Sequence, residues 1–307
     1  MIYTVTLNPA LDYFVQIEQV NLGAVNRSAG DHKAPGGKGI NVSRVLKRLG
    51  HQSEALGFVG GFTGSYVKDV LQKEEIQTNF VEVQGDTRIN VKVKGLEETE
   101  LNGASPNISE QNLSQLQDQL ANLSEGDVLV LAGSVPSTVP ATIYETLCKE
   151  ALERKVAVYV DSSGDPMMKV LNVGPTFIKP NHHELGEMFN VDIKEPKDAV
   201  VYIKRLLSYG IQYVLVSFAG DGAVLGTKER ILFATTPKGE VKNSVGAGDS
   251  SVAGFLVSQL ENMPLEDALK FAVASGSATA FSTEFASRQQ VESLIKDITI
   301  EEIGKGE

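Results

Sequence analysis

The chain has 307 residues, of which 42% are hydrophobic and 22% charged, a composition typical of a globular protein with a large buried core. The formal net charge of −11 argues against a nucleic-acid-binding surface, and the single cysteine, Cys148, excludes an intramolecular disulfide and a cysteine-based metal site. Because no basic n-region precedes a long apolar run and no window has the length of a membrane span, we expect a cytoplasmic protein.

The first glycine-rich stretch, APGGKGINVSRVLKRLG (34–50), precedes a run with helical periodicity that we expect to begin near Ile40. Gly36, Gly37 and Gly39 would let the backbone approach a ligand closely, and Lys38 adds a positive charge. The stretch is not a Walker A loop, because its spacing differs and no serine or threonine follows the lysine. Taken alone, it could also be an ordinary turn.

Strict alternation of polar and apolar residues marks the segment DTRINVKVKGLEETELNG (86–103). Side chains of a strand alternate between its two faces, so Arg88, Asn90 and Lys92 should project together, opposite the apolar residues between them. The sequence KGLEE (94–98) predicts the turn of an antiparallel hairpin. The polar face is either the solvated side of an edge strand, where lysine is common, or the inner side of a small β-lid that covers a ligand.

The second half of the chain alternates apolar strands with amphipathic helices. This order predicts a largely parallel sheet with helices on both faces. Ligands bind such sheets at the carboxyl ends of the strands, so the polar residues there are candidate site residues. The predicted strands cover 128–133, 156–161, 176–181 and 213–220, and the predicted helices lie within 137–155 and 195–210.

The stretch KPNHHELGEMF (179–189) suggests two chemical possibilities. The adjacent His182 and His183 are poor metal ligands as a pair, because neighbouring residues do not share a helix face and the HExxH spacing is absent. Asn181 and Glu184 form a capping-box pattern at the start of a helix. The same two residues could also organise water bound to Mg²⁺ near phosphate oxygens, since Mg²⁺ keeps most of its water shell.

Two further glycine-containing stretches follow. SFAGDGAVLG (217–226) lies after a strand but lacks the dinucleotide-binding spacing, and NSVGAGDS (243–250) leads into an apolar helix. A helix start carries unpaired N–H groups and the positive end of the macrodipole, which suits an anion. Asp249 could therefore be the N-cap of this helix, or a carboxylate base beside an anion hole, as phosphate transfer from ATP to an alcohol requires.

Taken together, GGKGINVSRV, KPNHHELGEM and NSVGAGDSSVAGF resemble the PfkB (ribokinase-like) carbohydrate kinase family along nearly the whole chain. The resemblance implies an α/β, ribokinase-like three-layer fold with a mostly parallel central sheet plus a small β-sheet lid. It implies a single kinase domain over residues 1–307, with lid strands within about 10–35 and 86–105. The implied partners are ATP, Mg²⁺ and a sugar phosphate, without nucleic acid or membrane, and a homodimer through the lid is compatible with it.

The resemblance also implies roles for residues of the second half of the chain. Asp249 matches the catalytic base of the family, and the anion hole is matched by Gly246, Ala247 and Gly248. Asn181 and Glu184 match an NxxE element linked to phosphate and to Mg²⁺, with Glu184 acting on the metal through water. The nucleotide-binding wall is matched by Ser217, Phe218, Ala219, Gly220, Asp221, Gly222 and Asn243.

At the sugar end, the resemblance implies a second group of residues. The substrate-binding positions of the family are matched by Asp12, Gly37, Lys38 and Asn41, its lid strand by Arg88, Asn90 and Lys92, and a further phosphate contact by Arg27. A local cluster of Lys38, Arg88 and Lys92 in an acidic protein suits a sugar that already carries phosphate.

Within the family, the opening TLNPALDYFV and the strand RINVKV are most similar to bacterial kinases that act on fructose 1-phosphate. The expected reaction is ATP-dependent phosphorylation of the 6-hydroxyl of that sugar, giving fructose 1,6-bisphosphate. The same chemistry on the 1-hydroxyl of tagatose 6-phosphate is the alternative. A non-catalytic sugar-phosphate-binding protein is a more distant alternative, since binding alone needs no base, and the missing GxGxxG disfavours a dehydrogenase.

Overall fold

The computed structural model describes residues 1–96 and 98–306, and none of the helices in these ranges is long and apolar enough to cross a membrane. The strands are β1 (Ile2–Thr6), β2 (Ala10–Gln16), β3 (Gly30–Gly36), β4 (Glu54–Val59), β5 (Gln77–Thr78), β6 (Val81–Glu82), β7 (Arg88–Lys94), β8 (Thr99–Asn102), β9 (Val128–Ala132), β10 (Ala157–Asp161), β11 (Phe177–Ile178), β12 (Tyr213–Ser217), β13 (Ala223–Gly226), β14 (Ile231–Ala234) and β15 (Ile300–Gly304). The helices are α1 (Lys38–Arg48), α2 (Gly61–Lys73), α3 (Glu110–Leu120), α4 (Ile143–Glu153), α5 (Gly164–Leu171), α6 (His182–Phe189), α7 (Val200–Leu207), α8 (Ala247–Leu260), α9 (Leu265–Ala280) and α10 (Arg288–Leu294), with short 3-10 helices at Pro196–Ala199, Ala219–Asp221 and Ile295–Asp297.

A large sheet forms the middle layer of the molecule, in the order β15-β14-β13-β12-β11-β10-β9-β1-β4-β5, with β6 beside β4. Neighbouring strands from β5 to β12 run parallel, and β13, β14 and β15 extend the sheet antiparallel, which confirms the predicted mostly parallel sheet. The strand expected over 176–181 is only Phe177–Ile178, because Asn181 already caps α6. The helix expected near Ile40 begins at Lys38.

Helices cover both faces of this sheet, and the side chains of β9 show that a strand is buried on both of its faces. Leu129 and Leu131 pack into one core with α3, α4 and α7, whereas Val128 and Val130 pack into a second core with α1, α8 and α9. All four are buried, as the continuous apolar pattern of a parallel strand predicts. Cys148 lies in the first core, where burial raises the pKa of its thiol to about 12.

A separate small sheet has the order β3-β2-β7-β8. β7 and β8 form the predicted antiparallel hairpin, and the predicted turn KGLEE contains Glu97, which lies outside the described residues. β2 runs parallel to β7, and this register sets Asp12 beside Asn90. Asn90 is only 7% exposed while Ile89 is 39% exposed, so the polar face of β7 is the covered one. The interpretation of that face as the solvated side of an edge strand is therefore wrong.

Candidate active site

The N-terminus of α8 forms the centre of the site. Gly246 is the N-cap, so the interpretation of Asp249 as N-cap is wrong, and Asp249 is the third residue of the helix. Gly246 has a φ of 77°, and a Cβ there would lie 2.5 Å from Phe285 Cε1, so only glycine fits. Gly248 and Asp249 lie in the first turn, where backbone N–H groups have no intrahelical acceptor and can bind an anion.

Asp249 is a buried carboxylate, only 6% exposed. Its Oδ2 accepts a hydrogen bond from Asn41 Nδ2 at 2.8 Å. Burial, reinforced by repulsion from the carboxylate of Asp161, raises the pKa of Asp249 to about 6, against the opposing effects of Lys38, Asn41 and Lys179. A carboxylate with this pKa is ionised at neutral pH and is a stronger base than an exposed aspartate.

Asp161, at the carboxyl end of β10, forms ion pairs with two lysines near Asp249. Its Oδ1 lies 2.8 Å from Lys38 Nζ and its Oδ2 lies 3.5 Å from Lys179 Nζ. Burial opposes ionisation of Asp161, but the ammonium groups of Lys179 and Lys38 hold its pKa below the usual range. Asp161 and Lys179 are buried and the Lys38 side chain is 36% exposed, so the three form a group with two positive charges and one negative charge that is open to solvent at Lys38.

Lys179 is a candidate site residue that was not predicted, although it lies in the expected strand 176–181. Its side chain is only 4% exposed, and its Nζ lies 3.3 Å from the position that a Cβ on Gly248 would take. A phosphate at the start of α8 would thus lie close to an ammonium group as well as to the first-turn N–H groups. The only signal for Lys179 and for Asp161 was their position at the carboxyl ends of parallel strands.

The predicted NxxE pair forms a complete capping box at the start of α6. Glu184 N–H donates to Asn181 Oδ1 and Asn181 N–H donates to Glu184 Oε2, each at 2.8 Å. The capping interpretation is confirmed, and one oxygen of Glu184 stays outside it. Within residues 1–96 and 98–306 no group of three or more His, Cys, Asp or Glu side chains could hold a metal ion by itself.

The predicted nucleotide-binding wall continues from this helix start. Ser217 forms an isolated β-bridge with Asn181, and the Phe218 ring stacks on His182 at 5.2 Å. The turn 219–222 is closed by Phe218 N–H, which donates to the Gly222 carbonyl oxygen at 2.8 Å. Ala219, Gly220 and Asp221 form the 3-10 helix inside this turn. The Gly220 carbonyl oxygen accepts a hydrogen bond from Thr236 Oγ1 at 2.5 Å. The structure therefore brings these residues together.

The small sheet covers the predicted sugar end with polar side chains. Asn90 Nδ2 donates to Asp12 Oδ1 at 2.9 Å, and burial raises the pKa of Asp12. Gly36 lies against the same carboxylate, since a Cβ there would be 2.5 Å from Asp12 Cγ. Gly37, with a φ of 121°, packs equally closely on Thr6 and is the N-cap of α1, the helix that carries Asn41 towards Asp249.

Arg88 leads to three residues that the sequence reasoning missed. Its Nη2 donates to the carbonyl oxygen of Asn8 at 3.1 Å, and the Asn8 side chain in turn bonds Ser134 Oγ at 3.2 Å and Ser105 Oγ at 2.8 Å. Arg88 Nε is buried and has no hydrogen-bond acceptor among the residues that the structure describes. Arg88 is thus connected to two hydroxyl groups through Asn8, and a cation with an unused donor is suited to bind phosphate.

The four basic residues predicted at the sugar end have different surroundings. Lys38 pairs with Asp161 under α8, whereas Arg88 and Lys92 belong to the small sheet, where Lys92 Nζ lies 2.9 Å from Glu100. Arg88 and Lys92 both act on the carboxylate of Asp12, and Lys38 interacts with the carboxylates of Asp161 and Asp249, so the expected common cluster of the three stays a prediction. Arg27 is exposed in the loop between β2 and β3, and in the described part of the chain no hydrogen bond or ion pair connects it to the site.

Comparison with known proteins agrees with this geometry. The model of the "pfkB family carbohydrate kinase" family matches residues 5–289. The chain is 51% identical to a 1-phosphofructokinase of Bacillus subtilis over 300 residues, which cover 98% of this chain and 99% of that protein. It is 38% identical to a 1-phosphofructokinase of Borreliella burgdorferi, covering 99% of each chain, and 34% identical to a tagatose-6-phosphate kinase of Staphylococcus epidermidis, covering 99% of this chain and 100% of that protein. Its fold is similar to that of phosphofructokinase-2 from Escherichia coli in complex with substrates and products, with a TM-score of 0.91, 30% identity and coverage of 96% and 98% of the two chains.

Proposed function

Since this chain belongs to the pfkB family of carbohydrate kinases and is a phosphotransferase with an alcohol acceptor, we propose that it transfers the γ-phosphoryl group of ATP to the 6-hydroxyl of fructose 1-phosphate. The products are ADP and fructose 1,6-bisphosphate. Residues 1–307 act as one kinase domain, in which the four-stranded small sheet is the lid over the sugar.

One observation carries the choice of sugar. The two relatives named 1-phosphofructokinase are more similar to the chain than the relative named tagatose-6-phosphate kinase is, over nearly full lengths in each case. The two sugars carry their phosphate at opposite ends and differ in one stereocentre. The same base and anion hole would serve both, so the assay below compares them directly.

Asp249 is the general base of the proposed reaction. Its carboxylate takes the proton of the sugar hydroxyl as the hydroxyl oxygen attacks the γ-phosphorus, and the bond from that phosphorus to the bridging oxygen of ADP breaks. The backbone N–H groups of the N-cap Gly246 and of Ala247 and Gly248 in the first turn, with the ammonium group of Lys179, stabilise the charge on the transferring phosphoryl oxygens. Of these, the Ala247 N–H exchanges its 3.2 Å hydrogen bond to the Ser244 carbonyl oxygen for the phosphoryl oxygen. Asn41 orients the base through its hydrogen bond to Oδ2.

Mg²⁺ fits this site as an ion that is bound mostly by water and by the phosphates of ATP. Glu184 has one carboxylate oxygen outside its capping box that can accept from a metal-bound water, whereas Asp161 Oδ2 is buried 3.5 Å from Lys179 Nζ and contributes negative charge nearby. When bound, the ion neutralises phosphate charge. Asn181, Ser217 to Gly222 and Asn243 hold the nucleotide.

At the other end of the site, the lid binds the sugar phosphate. Asp12 and Asn90 bind sugar hydroxyls, and Arg88 with Ser134 binds the phosphate that the sugar already carries. Closure of the lid over the sugar excludes water, which would otherwise compete as acceptor.

The test is an ADP-release assay with fructose 1-phosphate, fructose 6-phosphate and tagatose 6-phosphate in parallel. We expect the highest kcat/KM with fructose 1-phosphate, and a loss of kcat of about 10²- to 10⁴-fold in Asp249→Asn. Asp118→Asn, on an exposed position of α3, is the matched control and should keep wild-type turnover. A preference for tagatose 6-phosphate would overturn the proposed substrate, and near-normal turnover of Asp249→Asn would overturn the proposed base.

We further propose that two copies of the chain pair through the outer faces of their lids. Leu101 is 60% exposed and Ile89 is 39% exposed on that face, and Leu22 and Val25, in the loop between β2 and β3, are 95% and 81% exposed. Apolar side chains in such a group favour burial against a second apolar surface. Sedimentation velocity should show a dimer for the wild type and a monomer for Leu101→Arg, and a monomeric wild type would contradict the proposal.

A further inference from the structure

Lys94 connects the lid to the nucleotide end of the site. It is the last residue of β7 and lies on the inner face of the lid, on the same side as Arg88 and Lys92. Its Nζ donates to Asn243 Oδ1 at 3.1 Å, and the same oxygen accepts from Val245 N–H at 3.3 Å. The Lys94 side chain therefore reaches the loop that leads directly into the first turn of α8.

The basic residues on the inner face of β7 form a row that follows the direction of phosphoryl transfer. Arg88, Lys92 and Lys94 share one face of the strand, with Asn90 between the first two, so that Arg88 and Lys92 are about 13 Å apart, Lys92 and Lys94 about 7 Å, and the ends of the row about 20 Å. Arg88 contacts Asn8 at the sugar end, Lys92 pairs with Glu100 within the lid, and Lys94 contacts Asn243 at the nucleotide end. The position of Lys94 in this row is beside the donor rather than the acceptor.

The present contacts of Lys94 are ones that a phosphate can replace. Asn243 is a neutral acceptor, and the Lys94 ammonium lies 3.7 Å from a carboxylate oxygen of Glu98, whose side chain is 69% exposed. Such an exposed pair is weak, whereas a phosphate oxygen offers a charge-assisted hydrogen bond. The ring of Phe14, 5.9 Å from Lys94 Nζ, supports the side chain over the site.

We infer that Lys94 binds the terminal phosphates of the donor nucleotide from the lid. The phosphates of ATP then contact Lys179 on the large sheet side and Lys94 on the lid. Because the nucleotide contacts both parts, donor binding and lid closure favour each other. This inference rests on the proposed function only in that the donor is a nucleoside triphosphate, and it does not depend on the identity of the sugar.

The test is a calorimetric titration of the purified full-length protein with adenylyl imidodiphosphate and Mg²⁺, and separately with AMP. Lys94→Ala should weaken binding of the triphosphate analogue about tenfold or more, because one charge-assisted hydrogen bond is lost, and should leave AMP binding within about twofold. Lys94→Arg should restore most of the affinity, because it keeps the charge. Lys68→Ala removes a surface lysine that pairs with Glu82, and it should change neither affinity.

Three results would overturn the inference. The first is an unchanged affinity of Lys94→Ala for the analogue. The second is an equal loss of affinity of Lys94→Ala for the analogue and for AMP. The third, from steady-state kinetics of Lys94→Ala, is a raised KM for the sugar phosphate with an unchanged KM for ATP. The titration needs no turnover, so a wild-type protein that binds the analogue but does not phosphorylate fructose 1-phosphate would refute the proposed substrate and leave this inference intact.

Discussion

The hydrogen bond from Asn41 to Asp249 should control the pH at which the enzyme becomes active. Asn41 Nδ2 stabilises the ionised carboxylate, so in Asn41→Ala the pKa of Asp249 should rise above its value of about 6. Because only the ionised form accepts a proton, the acid limb of kcat/KM should move upward by about one pH unit. The measurement is a pH profile of kcat/KM between pH 5 and 9.

The phosphate of the sugar titrates in the same range, near pH 6, so the comparison between variants assigns the limb. Asn122→Ala is the control, since the Asn122 side chain donates to the backbone carbonyl oxygen of Asp118 at the exposed end of α3, away from the site. An acid limb at the same pH in Asn41→Ala and in the wild type would mean that Asp249 does not determine it.

The burial of Asp249 should also lower the free energy of unfolding at neutral pH. Its folded pKa lies above the ordinary aspartate value of 3.8, so the wild type loses stability as the pH rises from about 4 through about 6. The neutral isostere in Asp249→Asn avoids that loss and should stabilise the protein at pH 7, by at most about 3 kcal/mol for a shift of roughly two units. Its melting temperature should exceed that of the wild type at pH 7 and approach it below pH 4, while Asp118→Asn shows no difference. A less stable Asp249→Asn at pH 7 would contradict this.

The strand β3 sets the position of Asp12 through a glycine. A Cβ at residue 36 would lie 2.5 Å from Asp12 Cγ, so Gly36→Ala should displace this carboxylate from Asn90. Hydrogen bonds to charged groups contribute about 1.5–3 kcal/mol, so the KM for the sugar phosphate should rise about tenfold or more, with the KM for ATP nearly unchanged. Gly30→Ala, in the same strand and with no atom within 4 Å of its Cβ position, is the matched control. Equal effects of the two substitutions, or a rise in the KM for ATP, would contradict the role of Gly36.

Patterns within one element predicted that element well. The alternation in RINVKV placed Arg88, Asn90 and Lys92 on one face of β7, because the period of a strand is two regardless of what it packs on. The same pattern left open which face is covered, since that depends on where the lid lies. The pair of Asn181 and Glu184 was likewise predictable as a capping box, because both partners are in one turn.

Contacts between distant parts of the chain were beyond prediction from local patterns. Asn41 and Asp249 are separated by 208 positions, and Lys38 and Asp161 by 123, so no spacing rule connects them. The parallel sheet explains why they meet, since it collects the ends of many strands at one edge. Lys179 was missed for the same reason, since its importance depends on the helix start that folds over it.

The end of α8 opposite to Asp249 should contribute to acid sensitivity of the whole molecule. The carboxylate of Glu261, at this end, accepts hydrogen bonds from both Nη groups of Arg288, at 2.7 and 2.8 Å, and one of its oxygens lies 3.0 Å from His51 Nε2. Glu261 therefore connects α8 with α10 and with the segment after α1. Arg288 foremost, and His51, lower the pKa of Glu261 to about 2. A folded pKa below the unfolded value of 4.5 stabilises the protein above pH 4.5, and this stabilisation is lost as the pH falls towards 2.

Glu261→Gln should therefore lower the melting temperature by a few degrees at pH 7, and the difference should shrink by about half or more at pH 3. Melting curves of both proteins between pH 3 and 7 measure this directly. Glu125→Gln is the control, because the pair of Glu125 with Lys155 is an isolated ion pair with side chains 70% and 72% exposed, and such pairs contribute little. A difference that stays constant from pH 7 to pH 3 would mean that Glu261 stabilises the structure by packing rather than by its charge. In that case the ion pair with Arg288 would have no part in the acid sensitivity of the fold.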